Sequence, residues 1–582
     1  MKGPNQTSNL LRIARPHRKK IIVILLLTVG WSLSLICGPA LVAYAIDQGI
    51  RRHSERPVEV AVIGYFASAL ASGVLFRQVV RSVTNTGERV LQELRVSVFN
   101  HILSMPMGFF DSERTGRLVS RMTTDMDALE NLIQQGLVQL VSNALLLLIT
   151  LCVLLIMSPI LFLFCLISVP ILAAASVWFK RKSAVAYMSV RDAIAQTMTS
   201  LQEGLSGVRV IQAFANEDVV VRGFNGQNRA QLLANMRAVS ISARYFPVIE
   251  AMSVFTTAGI VGIGGYMSYQ HLIPIGTVVA FALYMGNLFS PIQQTSQQFD
   301  LLQSAGAAFR KLDSLLNIEP PLAEATEPRE LNAVGAICFE NVTFTYAEEA
   351  IPALQDINIS IDFGKHVALV GPTGAGKSTI AKLIARFYDP TIGKVSFGGI
   401  DLRQASFDSL RRTIVVVTQE AFLFDGTIAS NIRMGRPDIS DIEVYKAIEE
   451  IGGQSIIESI PGGIGANVFE GGSTLSAGEK QIISLARVAL IDPRVIILDE
   501  ATSNLDPATE TLVEEALTRL TRGKTLVTIA HRLSTAQRAD QVLVVDNGIV
   551  AQQGHHDELI QVPGLYSTLN AAWLGVGGSK LD

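Results

Sequence analysis

The chain has little charge and few cysteines for its length. Only 17% of its 582 residues are charged, and the formal net charge is -3. The sequence therefore has neither the basic surface typical of nucleic-acid binding nor an acidic tail, and no nucleic-acid partner is expected. The four cysteines lack paired metal-binding spacing such as C-x-x-C, so we expect reduced thiols and no zinc site. The informative feature is the apolar content of 49%, which is high for a soluble protein of this size.

Six uncharged apolar segments are long enough to cross a bilayer, which takes about 20 helical residues. They are 21–46, 58–80, 137–158, 160–180, 246–269 and 276–298. The first segment is too long for a signal-peptide core, although the basic run 18–20 precedes it, so we expect a retained span. An even number of spans places both ends on one side, and the basic residues before the first span indicate the cytoplasmic side of a cell membrane. The arginines within 51–56, in the opposite loop, weaken this charge argument.

The connections between the spans differ in length on the two sides. The outer ones are short, whereas the inner segments 81–136 and 181–245 are long and rich in helix-forming residues. Each inner segment predicts two helical arms joined by a turn, and an arm of about 28 residues reaches roughly 40 Å into the cytosol. Such arms are long enough to contact a cytosolic domain.

A proline-rich break separates the apolar half from the rest. Pro320, Pro321 and Pro328 end the helical pattern and keep the chain extended. We therefore divide the chain into a transmembrane domain at 1–318, a linker at 319–333 and a second domain at 334–582.

In the second domain, short β-branched runs alternate with helical stretches. The runs are 341–346, 365–370, 413–418, 495–498, 525–529 and 541–545. This order predicts an α/β domain with a sheet core, following a six-helix all-α membrane domain with long cytosolic extensions.

The second domain contains a phosphate loop of the form G-x-x-x-x-G-K-[ST]. It reads Gly371-Pro372-Thr373-Gly374-Ala375-Gly376-Lys377-Ser378, and Thr379 follows. A buried-strand run at 366–370 precedes the loop and a helical run at 378–383 follows it, which is the context that the motif requires. Backbone N–H groups of such a loop bind phosphates, Lys377 adds positive charge, and Ser378 offers a hydroxyl to Mg²⁺. The sequence thus predicts a Mg²⁺-nucleotide site.

A second buried strand, 495–498, ends in Asp499 and Glu500. In a phosphate-loop protein, Asp499 is expected to hold the metal, directly or through water. Glu500 is then the expected general base for the attacking water. Two acids after four aliphatic residues also fit an ordinary strand end, so this interpretation depends on the phosphate loop.

Upstream of that strand, Leu475-Ser476-Ala477-Gly478-Glu479-Lys480-Gln481 opens an amphipathic helical run at 482–489. This stretch resembles the L-S-G-G-Q signature of the ATP-binding-cassette (ABC) family, and the order of phosphate loop, signature and acidic strand matches that family too. The resemblance implies that Ser476 and Gly478 contact the nucleotide.

The same resemblance implies roles for four further residues. Tyr346 is expected to stack on adenine, Gln419 to contact the metal and the attacking water, Asp506 to lie in the loop after the acidic strand, and His531 to contact the γ-phosphate. Each has an ordinary alternative from its residue type alone: Tyr346 fits core packing, Gln419 a solvated loop and His531 the end of a strand.

In this family the signature of one cassette closes over ATP bound to the phosphate loop of another. One cassette and six spans therefore imply a half-transporter that pairs with a second half. Ala477 and Glu479 replace the more common Gly and Gln, and L-S-x-G-E signatures resemble those in one subunit of some heterodimeric exporters. Homodimer and heterodimer both remain open.

The stretches 109–118 and 204–214 resemble the membrane domain of exporters in this family, which implies that turns near 109–118 and 212–222 dock on cassettes. The expected activity is ATP hydrolysis coupled to movement of an amphipathic, lipid-like or peptide substrate. An importer with the exporter fold and an ATP-gated channel remain alternatives. A guanine-reading N-K-x-D element is absent, which argues against a membrane-tethered GTPase. Polar residues at membrane depth are candidate substrate contacts, namely Arg77, Glu250, Asn287, Ser290, Gln293 and Gln294.

Overall fold

A computed structural model of the chain describes residues 15–318, 322, 324–331, 334–346, 349–419, 421–499, 507–530 and 532–574. By contacts the chain divides into two compact units. The first comprises Met1–Ser104 and Arg114–Glu319, and the second comprises Met105–Glu113 and Pro320–Asp582. The domain boundaries that we place at 318 and 334 stay predictions.

The described part of the first unit is helical. Its helices are α1 (Arg18–Tyr44), α2 (Glu55–Leu103), α4 (Thr115–Ser120), α5 (Met126–Asn131), α6 (Val138–Met157), α7 (Pro159–Leu166), α8 (Ser168–Ser206), α9 (Val208–Ala213), α10 (Glu217–Tyr269), α11 (Ile275–Gln297) and α12 (Phe299–Leu316). Short π-helical segments at Ala45–Ile50, Arg121–Asp125 and Leu132–Leu137 join or extend these helices.

Six of the helical stretches are long and apolar enough to cross a membrane, which confirms the predicted six-helix organisation. The predicted inner arms are present as uninterrupted continuations of the spans. The 53 residues of α10 extend about 80 Å, and Pro247 lies within the helix without ending it. The sixth span, α11, likewise continues through Pro291.

Aromatic and hydroxyl side chains hold the spans of the first unit together. The Tyr284 hydroxyl on α11 donates to the backbone oxygen of Ile36 on α1 at 2.6 Å. Tyr245 on α10 stacks on Phe179 of α8 with ring centroids 4.1 Å apart. The Tyr245 hydroxyl also lies 3.0 Å from Ser176 Oγ, so both buried tyrosines have a hydrogen-bond partner inside the bundle.

The second unit contains twelve strands and eleven helices in its described residues. The strands are β1 (Ile337–Phe344), β2 (Leu354–Ile361), β3 (His366–Val370), β4 (Ile392–Phe397), β5 (Ile400–Asp401), β6 (Ile414–Val417), β7 (Gly426–Thr427), β8 (Asn467–Val468), β9 (Val495–Asp499), β10 (Thr525–Ile529), β11 (Gln541–Asp546) and β12 (Ile549–Gly554). The helices are α3 (Met107–Ser112), α13 (Lys377–Ile384), α14 (Phe407–Thr413), α15 (Ile428–Ile432), α16 (Asp441–Glu450), α17 (Gln454–Ser459), α18 (Ala477–Ile491), α19 (Pro507–Thr521), α20 (Leu533–Gln537), α21 (His556–Gln561) and α22 (Leu565–Trp573).

A six-stranded sheet forms the centre of this unit, in the order β12-β11-β3-β10-β9-β6. The neighbours from β11 to β6 are parallel, and only β12 pairs antiparallel. A four-stranded antiparallel sheet, β2-β1-β4-β5, packs its apolar residues into the same core as the loop that follows β3. The predicted α/β class is therefore confirmed.

Several strand bounds differ from those that the sequence predicts. β1 begins at Ile337 rather than at residue 341, because a bulge with Asn341 at φ +48° interrupts its alternating pattern. The sequence analysis missed β2, β4 and β12, whose exposed faces are rich in polar residues, as in half-solvated antiparallel strands.

The short helix α3 belongs to the second unit although α2 and α4, its neighbours in the chain, belong to the first. Its Asp111 carboxylate accepts hydrogen bonds from Lys382 Nζ at 2.8 Å and from the Tyr388 hydroxyl at 2.6 Å. Burial raises the pKa of Asp111, but the hydrogen bonds from Lys382 and Tyr388 and the charge of Lys382 together lower it below its ordinary value. Asp111 is therefore ionised at neutral pH.

We expect Asp111→Ala to loosen α3. The substitution removes the hydrogen bonds from Lys382 and Tyr388. The ion pair with Lys382 is half-exposed, and such a pair contributes about 1 kcal/mol or less to stability. Hydrogen exchange of the amides in Met107–Ser112 should become about two- to fivefold faster. Asp408→Ala, which removes the exposed pair between Asp408 and Arg412, is the control and should leave this exchange unchanged. Unchanged exchange in Asp111→Ala would show that other contacts hold α3.

Candidate nucleotide site

Four parallel strands of the central sheet end at one edge. β3 and β10 pair with Leu369 opposite Ile529, and β10 and β9 pair with Ile529 opposite Asp499. β6 continues the row beside β9, with Val417 opposite Leu498. Ligands of parallel α/β sheets bind at the carboxyl ends of the strands, so this edge is the expected site.

The loop Gly371–Gly376 leaves β3 at this edge in a conformation that side chains oppose. Gly376 has φ +110° and directly precedes α13. A Cβ on Gly376 would lie 2.7 Å from Leu354 Cδ2, and a Cβ on Gly371 would collide with the backbone oxygen of Val545. The loop therefore requires glycine at both positions, and it presents its backbone at the N-terminus of α13, where phosphates bind.

Lys377 is buried and is held by the loop itself. Its Nζ donates to the backbone oxygens of Gly371 at 2.8 Å and Pro372 at 2.7 Å. Burial lowers the pKa of Lys377, and the charge of Asp499 opposes this shift. The ammonium group thus lies in the concave face of the loop, within electrostatic range of the acidic strand end.

Two predicted nucleotide contacts lie beside the loop. The Tyr346 hydroxyl and Thr379 Oγ1 are 3.1 Å apart, a hydrogen bond that links the aromatic ring to α13. The Tyr346 ring is half-buried and packs edge-on against Tyr388 at 5.3 Å. Tyr346 therefore lies beside the helix that follows the phosphate loop, and its stacking on adenine stays a prediction.

The sequence motifs do not indicate that Tyr388 and Lys382 lie beside Tyr346. Lys382 Nζ lies 5.9 Å from the Tyr346 ring centroid and 5.7 Å from that of Tyr388, and both residues also bind Asp111. The clustering of two aromatic residues at 387–388 was the only sequence signal, and it does not indicate a role at this site.

The residues available for Mg²⁺ offer oxygen atoms, which this ion prefers. Ser378 is exposed at the start of α13, Asp499 ends β9, and Gln419 follows β6 by two residues, so all three lie at or just beyond the strand-end edge. Within the described residues there is no cluster of three His, Cys, Asp or Glu side chains that could hold a metal. The set fits a magnesium ion carried largely by nucleotide phosphates, as opposed to an ion held in a protein cage.

The signature residues form the N-terminus of α18. Ser476 is its N-cap, and a Cβ on Gly478 would collide with Thr509 Cγ2, so the side chain of Thr509 requires glycine there. Glu479 folds back onto Ser476 and does not pair with Lys480 in any described contact. The predicted helix at 482–489 is confirmed as part of Ala477–Ile491.

Three predicted site residues, Glu500, Asp506 and His531, lie outside the described residues. Asp499 and Ala530, which precede Glu500 and His531, are described and lie at the strand-end edge or directly after it. The roles of these three residues stay predictions.

We expect Lys377→Ala to weaken ATP binding about 10- to 100-fold, because a hydrogen bond from a charged group to phosphate contributes about 1.5–3 kcal/mol. Equilibrium binding of a fluorescent ATP analogue to the purified chain measures this effect. Lys394→Ala is the control, since Lys394 makes an exposed ion pair with Glu340. Undiminished affinity in Lys377→Ala would overturn the phosphate-loop assignment.

Comparison with known proteins places the two parts of the chain in one family. Residues 21–292 match the model of the ABC transporter transmembrane region, and residues 354–503 match the ABC transporter model. A solved bacterial Atm1-family ABC exporter with ATP bound has the same fold, with a TM-score of 0.79, 23% identity, and coverage of 97% of this chain and 99% of that one.

Relatives that match most of this chain support the same family. The ABC transporter ATP-binding protein YknV of Bacillus subtilis is 35% identical, over 97% of this chain and 94% of its own length. The ATP-dependent lipid A-core flippase of Desulfotalea psychrophila is 32% identical over 85% of this chain and 87% of its length. The multidrug efflux ATP-binding/permease protein Rv0194 of Mycobacterium tuberculosis is 34% identical over 97% of this chain, which covers 47% of that longer protein. With its six apolar helices, its two matching family models and its full-length relatives, this chain belongs to the ABC transporter family, as an ATP-hydrolysing protein of the exporter type.

Proposed function

We propose that the chain is one half of a dimeric exporter in the cytoplasmic membrane, with its N-terminus and cassette in the cytosol. Two such halves, identical or different, would bind two ATP molecules between their cassettes. The observation that carries this proposal is that the phosphate loop and the signature serine lie at the N-termini of two different helices of one chain. The phosphate loop precedes α13, whereas Ser476 caps α18, a different helix. A second chain provides the partner that each surface lacks.

In this dimer the phosphate loop, residues Gly371 to Thr379, would hold the ATP phosphates, and Tyr346 would stack on adenine. Mg²⁺, held by Ser378, Asp499 and Gln419, would neutralise the β- and γ-phosphates. Glu500 would take a proton from the attacking water, with Gln419 and His531 orienting the water and the γ-phosphate. Ser476, Gly478 and Asp506 would act at the opposing nucleotide.

ATP binding would then close the cassettes, and hydrolysis would allow them to reopen. Because α3 and α9 lie at the ends of long helices continuous with the spans, cassette closure would switch the membrane part between inward- and outward-facing states. The second predicted docking turn, near 212–222, corresponds to the end of α9 and the start of α10.

The polar but uncharged contacts between two membrane helices favour an uncharged or amphipathic substrate. On α6 and α11, Gln139 donates to Asn143 at 3.0 Å and to Gln294 at 2.5 Å, and Gln294 donates to Ser290 at 2.8 Å. These residues carry no charge. Asn287 and Gln293, the other polar candidates on α11, are half-buried.

Part of the hydrogen-bonding capacity of this cluster is unused. Asn143 Nδ2 and Thr150 Oγ1 are buried and have no hydrogen-bond partner among the residues that the structure describes. Unpaired polar groups inside a bundle are costly, and a polar group of a substrate that reached these atoms would remove that cost. Arg77 and Glu250, in contrast, are exposed on the protomer and form no described ion pair with each other. The lipid and drug substrates named for the relatives are amphipathic, which suits such a surface.

The transport proposal is tested with the chain in liposomes, alone and with a second half-transporter if one copurifies. ATP should drive uphill movement of a fluorescent lipid or an amphipathic drug, and that substrate should stimulate ATPase activity. Glu500→Gln should keep ATP binding and abolish turnover and transport, because the water loses its base. Downhill flux alone would favour the ATP-gated channel, uptake toward the cassette side would favour the importer, and normal turnover in Glu500→Gln would remove Glu500 from the base role.

We expect Asn143→Leu to raise the substrate concentration needed for half-maximal ATPase stimulation about tenfold, with basal ATPase activity and thermal stability unchanged. The substitution keeps the volume and removes the amide nitrogen that lacks a partner. It also removes the oxygen that accepts from Gln139, which keeps its hydrogen bond to Gln294. Thr28→Val is the control, because the Thr28 hydroxyl is buried in α1 but already donates to Ile24. A fall in thermal stability with unchanged stimulation would instead assign the cluster to helix packing.

A further inference from the structure

The first turn of α18 contains a reciprocal pair of hydrogen bonds between Ser476 and Glu479. Glu479 Oε2 accepts from the Ser476 backbone N–H at 2.7 Å and from the Ser476 hydroxyl at 2.9 Å. In return, Ser476 Oγ accepts from the Glu479 backbone N–H at 3.3 Å. This capping box satisfies two backbone donors at the helix N-terminus and fixes the direction in which the Ser476 hydroxyl hydrogen points.

The arrangement conflicts with phosphate binding. A serine hydroxyl has a single hydrogen to donate, and phosphate oxygens are acceptors that need a donor. Here that hydrogen is directed to the Glu479 carboxylate. Ser476 is exposed and Glu479 half-exposed, so an incoming γ-phosphate would meet a hydroxyl already engaged and a negative charge beside it.

The same capping box occurs a second time in the second unit. At the start of α16, Ser440 N and Ser440 Oγ donate to Glu443 Oε2 at 3.1 and 3.0 Å. The pair thus has an ordinary structural use in this chain, and Glu443 shows what such a box does where no nucleotide is expected. Any effect of Glu479 beyond helix capping therefore depends on its position in the signature, beside Ser476.

We propose that Glu479 sets the affinity of the composite ATP site to which this chain lends its signature, by holding the Ser476 hydroxyl and repelling the γ-phosphate until the cassettes close. Glu479 is a positioning residue that acts through Ser476. Closure requires the hydroxyl to rotate from the Glu479 carboxylate to the phosphate, and the displaced carboxylate to turn toward solvent. The inference rests on the proposed function of Ser476.

The test is Glu479→Gln in the full-length protein in lipid nanodiscs, with its partner subunit if one copurifies. Glutamine keeps an oxygen that accepts from Ser476 and so preserves the capping box, but it removes the charge. We expect the KM for ATP hydrolysis to fall about tenfold at low salt, with kcat changed less than about twofold. Because the effect is electrostatic and lies near the surface, the KM ratio between wild type and variant should shrink at 1 M salt.

Glu443→Gln is the matched control. It makes the same chemical change in the same kind of capping box, and it should leave KM and kcat within about twofold of wild type at every salt concentration. Thermal melting of both variants checks that neither substitution unfolds the second unit.

Two results would overturn the role of Glu479: a KM within about twofold of wild type in Glu479→Gln at low salt, or an equal KM change in Glu443→Gln. A KM decrease that persists unchanged at 1 M salt would contradict the charge mechanism. These outcomes differ from failure of the proposed function, in which the wild-type protein would show no ATP turnover that depends on Lys377.

Discussion

The phosphate loop depends on close packing between its glycines and the backbones of two sheets. Gly371 lies against the backbone oxygen of Val545 on β11, and Gly376 lies against Ala353 and Leu354 at the start of β2. The backbone N–H of Gly548, in the turn between β11 and β12, donates to Ala375 at 3.0 Å. A loop packed from both sides has little conformational freedom, so ordering it costs little of the free energy of ATP binding.

A series of side-chain contacts connects the residues beside the phosphate loop with α3. Tyr346 joins α13 through Thr379 and packs on Tyr388, and Tyr388 in turn donates to Asp111. Lys382, on the helix that begins at the phosphate loop, binds the same carboxylate. In the chain, α3 lies between α2 and α4, which belong to the first unit.

The sequence predicts the position of this site because the chemistry requires particular residue types in a fixed order. The phosphate loop, the acidic strand and the signature are contiguous motifs, and the strands before the first two are buried apolar runs. β2, β4 and β12 were missed because half-solvated strands carry polar residues such as Gln355, Asn358 and Gln552 that weaken the pattern. The contacts of Tyr388 and Lys382 with Asp111 were also unpredictable, because they join residues more than 270 positions apart and depend on tertiary packing.

The first turn of α18 shows how one side chain can serve folding and function at a cost to each. A capped helix N-terminus is more stable than an uncapped one by about 1 kcal/mol, which favours the bond between Ser476 and Glu479 in the isolated chain. A phosphate arriving at the same helix end offers a stronger, charge-assisted bond and the favourable field of the helix dipole. A carboxylate at position 479 reduces the free-energy difference between the capped state and the phosphate-bound state. A neutral amide would increase that difference. The identity of this one residue therefore determines how much of the ATP-binding energy is used to free Ser476 before the cassettes close.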